Sequence, residues 1–416
     1  MSCSCHYTAK WRQLKTIIHF YSKTSKEYLC GLQFLRLFKH TKNEYLWDLP
    51  TQMMITPKYK RNINRILPFG LIWLVFSLIY TILERGLLGD LNFYPSSGNQ
   101  YVFSRNILAI PLLATIFGTI IGIFEILYFN KWFIQISFTK KILYKSSIYL
   151  LIIIFLLIII FLTTANEIPS AISSEGFWLL MLDYFTDYSF LGILTYIASI
   201  ILMTQFYTEV SESMGTGLLS NFFLGKYNKP VEEDRIFMFL DMKSSTTIAE
   251  KLGHVVYFEM LQQYFSDLSG PVIDYSGEIY QYAGDEMIIS WRLEKGVKNN
   301  NCIRCFFAMK KSLMDKSTAY KEKYGLSPQF KAGLHCGKVT TGEIGVLKKE
   351  IIFTGDVLNT TARIEGLCNN YDVDILVSDS LAEKLDLSPY YKVESVGKNN
   401  LRGKDIQFEL LTLYPI

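Results

Sequence analysis

The run Ile148–Ala165, IYLLIIIFLLIIIFLTTA, contains no charged residue over its 18 positions. An uncharged apolar stretch of that length is long enough to cross a bilayer as a helix. Three further runs lie near Ile66–Leu83, Ile107–Phe129 and Phe190–Tyr207. Any one of them alone could be a buried core helix. Four in succession predict a membrane region of four transmembrane helices over residues 66–207. Composition agrees, because half of the chain is hydrophobic and the mean hydropathy is +0.19. These values are high for a water-soluble chain.

The basic residues orient the spans. Residues 1–65 carry Lys10, Arg12, Lys15, Lys23, Lys26, Arg36, Lys39, Lys58, Lys60, Arg61 and Arg65, and the loop after the second run carries Lys131, Lys140, Lys141 and Lys145. The loops after the first and third runs are acidic or neutral, with Glu84, Arg85, Asp90, Arg105, Glu167, Glu175, Asp183 and Asp187. Lys and Arg accumulate on the cytoplasmic side. The expectation is a multi-pass protein of the cell (inner) membrane with both termini cytoplasmic and residues 1–65 as a basic cytoplasmic segment. Glu125, near the cytoplasmic end of the second run, is expected to snorkel to the interface or to pair with Lys131. Its place gives no ground for a function.

Other compositional signals are weak. A net charge of +4 suggests no nucleic-acid surface. The seven cysteines lack framework spacing, and Cys302 and Cys305 read as buried helix residues rather than a zinc or redox pair. Residues 208–230 read as a coupling linker, with a short apolar stripe at Leu218, Leu219, Phe222 and Phe223.

Residues 231–416 alternate between strand and helix patterns. Ile236–Leu240 is a continuous apolar run, as in a strand buried on both faces, and Asp241 follows at once. Lys243-Ser244-Ser245-Thr246-Thr247 then opens a helical pattern. Glu278–Trp291 reads as a hairpin whose turn holds Gly284 and Asp285. A single helix is expected near Asn301–Tyr324, strands at Phe330–His335 and Glu350–Thr354, a helix near Val357–Cys368, and strands at Ile375–Val377, Tyr391–Ser395 and Phe408–Tyr414. These runs fit a ferredoxin-like α/β sandwich, so the fold class is α+β: four transmembrane helices followed by that sandwich. A lone Asp before Ser or Thr at a strand end is usually a helix cap. A lone Gly-Asp in a hairpin is usually turn chemistry. Two carboxylates so placed can also converge on a hard cation such as magnesium.

Four stretches occurring in this order, FLDMKSSTTIAE, YQYAGDE, FKAGLHCGKVTTGEIG and FTGDVLNTTARIEGLC, resemble the catalytic domain of class III nucleotidyl cyclases, the adenylate and guanylate cyclases. The resemblance covers roughly the last 180 residues, about one domain. It implies that ATP is converted to 3′,5′-cyclic AMP and pyrophosphate, with two Mg2+ or Mn2+ ions held by Asp241, Asp285 and the backbone carbonyl of Met242. It implies phosphate binding by Lys243, Ser244, Ser245, Thr246, Lys331 and Arg402. Asn359 and Arg363, four apart and so on one helix face, become the pair that orients the ribose and steadies the α-phosphate. Because class III sites form between two catalytic domains and this chain holds both residue sets once, the resemblance implies a homodimer. The family's base-reading positions correspond to Gln281 and Ile352, which match neither the adenine nor the guanine pattern. ATP is favoured over GTP on family frequency. The alternatives are a guanylate cyclase, an inactive nucleotide-binding membrane receptor, and a transporter with a regulatory domain.

Overall fold

The structure is a computed structural model describing residues 56–94, 100–129, 132–133, 136–165, 182, 185–215, 225–388, 390–400 and 407–416. Residues 1–55, Lys131, the apolar stripe of the linker (Leu218, Leu219, Phe222 and Phe223) and Arg402 lie outside the described residues.

Four apolar helices come first: α1 (Pro57–Leu88), α2 (Phe103–Phe124), α3 (Phe138–Ala165) and α4 (Tyr188–Met214). Each is long and apolar enough to cross a membrane. Lipid is as apolar as leucine, so such helices associate through close packing and polar contacts. Both are visible. Gly118 and Gly122 of α2 meet α1, and a Cβ on them would come within 2.4 Å of Trp73 and 2.8 Å of Phe69. The backbones can approach only because both positions lack side chains.

The expectation for Glu125 is overturned. It does not snorkel, and the alternative partner, Lys131, lies outside the described residues. After Phe124 the helix widens into one π-helical turn, Glu125–Phe129, and the carboxylate is fully buried. Lys145 donates to Glu125 Oε1 at 2.5 Å and to Glu209 Oε1 at 2.8 Å. The Tyr149 hydroxyl donates to Glu125 Oε2 at 2.7 Å, and Gln205 reaches the same oxygen at 3.4 Å. A charge on an apolar helix is retained where it faces the bundle interior and finds a partner. Here Lys145 and Tyr149 from α3 and Gln205 from α4 supply that partner set, and Glu209 of α4 shares the Lys145 ammonium.

The second part is an eight-stranded sheet in the order β2-β3-β1-β4-β6-β8-β7, with β5 paired to β4. Its strands are β1 (Val231–Met242), β2 (Glu278–Ala283), β3 (Glu286–Arg292), β4 (Phe330–Ile344), β5 (Glu350–Thr354), β6 (Ile375–Ser378), β7 (Tyr391–Asn400) and β8 (Gln407–Pro415). Helices α5 (Ser245–Leu252) and α6 (His254–Asp274) follow β1, α7 (Asn301–Asp315) and α8 (Ser317–Tyr324) precede β4, and α9 (Asp356–Gly366) follows β5. Strands β1 to β4 with their crossover helices form the ferredoxin-like core, every adjacent pair antiparallel.

Strand β1 is covered on both faces. Ile236, Met238 and Leu240 pack into the large core with Met260 and Tyr264 of α6 and Phe306 of α7, while Phe237 and Phe239 face Val357 of α9. The single helix expected over Asn301–Tyr324 is two, broken at Lys316, where φ is −102° and ψ 3°. The break lets Lys316 and the Tyr320 hydroxyl meet the Asp267 carboxylate on α6. The strand expected over Phe330–His335 runs on without a break to Ile344 as β4 (Phe330–Ile344). Cys302 and Cys305 are free and buried.

Lys145→Met removes the fully buried ammonium that bridges Glu125 and Glu209. Uncompensated buried charge costs about 3–5 kcal/mol. The variant should melt well below the wild type in detergent, and adding Glu125→Gln should recover part of that loss.

Candidate active site

The site follows from strand register. Asp241 sits directly opposite Lys331 across the β1–β4 pair, and Leu240 opposite Met287 across β1–β3. The β2–β3 hairpin turns through Gly284 and Asp285, with Gly284 at φ 66°. The turn therefore hangs beside the C-terminal end of β1. Asp285 comes close enough to Asp241 to influence its ionisation.

A cavity of about 500 Å³ opens at this end of the sheet, lined by Asp241, Met242, Lys243, Ser244, Ser245, Thr246, Lys331, Cys368, Asn369 and Asp372. The Met242 side chain is buried in the core, which leaves its backbone to the cavity. Ser244 adopts a left-handed conformation, φ 56° and ψ 31°, immediately before α5. A non-glycine residue held there is strained, and such residues cluster at functional sites. The start of α5 carries the free N–H groups and positive dipole end that suit phosphate oxygens. One correction to the expected cradle concerns Lys243, whose N–H is already donated to the Gln329 carbonyl at 2.8 Å. Its ammonium is paired with Asp374.

The electrostatics are those of crowded carboxylates. Lys331 Nζ lies 2.8 Å from Glu365 Oε1 and 3.3 Å from Asp241 Oδ2. Burial, then Glu365 and Asp285, push the Asp241 carboxyl up from 3.8 to about 6, against the pull of Lys331. Burial, then Glu365, Asp241 and Asp285, push Glu286 from 4.5 to about 7. Negative charge thus exceeds what one lysine balances. Among the described residues no three His, Cys, Asp or Glu side chains form a complete metal cage. Magnesium needs no such cage, since it takes one or two carboxylates and completes its shell with water and substrate phosphates. The donor set fits a hard divalent cation.

The remaining expected residues lie elsewhere on the domain. Asn359 is exposed and Arg363 half-buried on α9, whose inner face is Val357, Thr360, Thr361 and Ile364. Neither lines the cavity. Gln281 on β2 is exposed and Ile352 on β5 half-buried, and neither lines the cavity. Their neighbours Tyr280 and Phe353 are in contact, ring centroids 4.8 Å apart. Sequence reasoning missed Glu286 and Glu365. The signals available were the helical phase of the buried Thr361 and Ile364, and the position next to Asp285.

Both raised carboxyls bind protons more tightly in the folded chain than in the unfolded one. Stability without metal therefore falls as pH rises from below about 4 to above about 7. Melting temperatures should be lower at pH about 7.5 than at about 5 without metal. Magnesium should raise the value at the higher pH most, because only ionised carboxylates hold it.

Residues 228–413 match the family model described as the adenylate and guanylate cyclase catalytic domain. The chain is 34% identical over 208 residues to "Adenylate cyclase 2" of Rhizobium meliloti (strain 1021), covering 50% of this chain and 57% of that protein. It is 26% identical over 179 residues to "Adenylate cyclase 1" of the same organism, covering 42% of this chain and 26% of that one. The chain thus spans little more than half of the first relative and about a quarter of the second. Among solved structures, a bacterial light-regulated adenylyl cyclase aligns with a TM-score of 0.46 at 20% identity, over 55% of this chain and 66% of that one. With the four cyclase motifs gathered on one ferredoxin-like sheet, the region 228–413 belongs to the class III nucleotidyl cyclases.

Proposed function

We propose that this chain is a membrane-bound adenylate cyclase, converting ATP to 3′,5′-cyclic AMP and pyrophosphate. The observation that carries the reading is the meeting of Asp241 and Lys331 in the wall of a cavity that the first turn of α5 also lines, with Asp285 close beside Asp241. The two relatives are named adenylate cyclases, which favours ATP over GTP.

In this reading the ribose 3′-oxygen attacks the α-phosphorus, the bond to the β-phosphate breaks, and the hydroxyl proton is released. Asp241, Asp285 and the Met242 carbonyl hold the divalent cations, two per site. Cations held there would supply positive charge against the phosphates. Lys331 and the N–H groups of Ser244, Ser245 and Thr246 bind the triphosphate, with Lys243 and Arg402 as further cations. Asn359 orients the ribose and Arg363 takes up charge at the α-phosphate. Gln281 and Ile352 face the base, where the Gln281 amide can serve adenine N1.

Asn359 and Arg363 stand on the outer face of α9, away from the cavity of their own chain. This supports a two-fold homodimer in which each chain completes the other's site. The basic residues flanking the four helices support cytoplasmic termini, which puts the domain where nucleoside triphosphate is.

The test is incubation of detergent-purified protein with ATP or GTP plus Mg2+ or Mn2+, and identification of the product. Cyclic AMP is expected. Cyclic GMP as the sole product would make GTP the substrate, and no product from either would sink the reading. Asp285→Ala and Arg363→Ala should each lower turnover at least a hundredfold, on the scale of losing one electrostatic stabiliser. An equal mixture of the two variants, refolded or co-expressed, should recover about a quarter of the wild-type sites, since half the dimers are mixed and each has one intact site. No recovery would contradict the shared site.

A further inference from the structure

Glu365 has no part in the mechanism above, yet it is paired with Lys331, which lines the cavity. It lies on α9 two residues after Arg363 and is turned toward the sheet. There α9 rests so close to β4 that a Cβ on Gly333 would fall 2.4 Å from the Glu365 backbone nitrogen. This contact fixes where the Glu365 side chain starts. Its carboxylate meets Lys331 at 2.8 Å, and the side chains of Lys331 and Glu365 are only 8% and 13% exposed. A pair so screened from water keeps more of its attraction than one on the surface.

Lys331 has a second partner in Asp241, at 3.3 Å. The two are opposite one another on neighbouring strands, so backbone pairing holds the ammonium near that carboxylate. A positive side chain against Asp241 competes with any cation that seeks the same oxygens. Without another anion nearby, the lysine would settle on Asp241.

We infer that Glu365 is a positioning residue which draws Lys331 off Asp241, freeing that carboxylate for a divalent cation and holding the ammonium toward the phosphate end of the cavity. The inference rests on the cyclase reading. It makes Glu365 act through Lys331 rather than as a cation ligand, and that difference can be measured without turnover.

The probe is Mn2+ alone, its free concentration read by electron paramagnetic resonance in titrations of the full-length protein in detergent. Glu365→Gln should weaken Mn2+ binding about tenfold, a difference of about 1.4 kcal/mol. Lys331→Met should tighten it. The double variant should bind like Lys331→Met, because no lysine remains to be drawn away, and Glu365→Asp should retain most of the wild-type affinity. A carboxylate that merely added negative charge, or bound the ion itself, would weaken binding as much in the Lys331→Met background as in the wild type. That additivity would overturn the proposal, as would Mn2+ binding unchanged by Glu365→Gln. A wild-type chain that binds no Mn2+ would overturn the cyclase reading and this proposal with it.

Discussion

The pairing of β1 between β3 and β4 is the constraint on which the rest of the catalytic region depends. Five consecutive apolar residues, Ile236 to Leu240, are buried, alternating between the core beneath α6 and α7 and the layer beneath α9. A slip of one residue would exchange the two faces, so the register is strongly fixed. The same register decides that Asp241 meets Lys331 and that the Asp285 turn hangs alongside. Placement of the carboxylates is thus a by-product of hydrophobic packing. The polar residues do not have to find one another.

The membrane helices work under a different rule. Their outer faces gain nothing from leaving lipid, so specificity falls to close-packed glycines and to the Glu125, Lys145 and Glu209 cluster. Glu209 also meets Lys141, at 3.4 Å, and Glu212 one turn later is paired with Arg65 of α1. The last span is therefore gripped from two sides just before the chain leaves it.

Local pattern made much of this legible. Hydropathy and length disclosed the four spans, period and turn residues disclosed the hairpin, and a spacing of four put Asn359 and Arg363 on one face. The partners of Glu125 were not legible, because Lys145, Tyr149 and Gln205 lie 20 to 80 residues away and no local period encodes a contact between helices. Lys316 lacked a visible break signal for a related reason: the helix ends there to bring Tyr320 to Asp267, 53 residues earlier. Glu365 was hidden by its neighbours, since a motif read for Asn359 and Arg363 draws the eye to the opposite side of the helix.

That helix has one further implication. α9 carries Asn359 and Arg363 on its outer side and Glu365 on its inner side, and its seat on Gly333 leaves almost no slack. In a symmetric pair, one rigid rod would serve its own cleft through Glu365 and its neighbour's through Arg363. A displacement of the rod in either cleft would then be felt in both, so occupancy of the first should alter affinity in the second, with each cleft acting on the other equally.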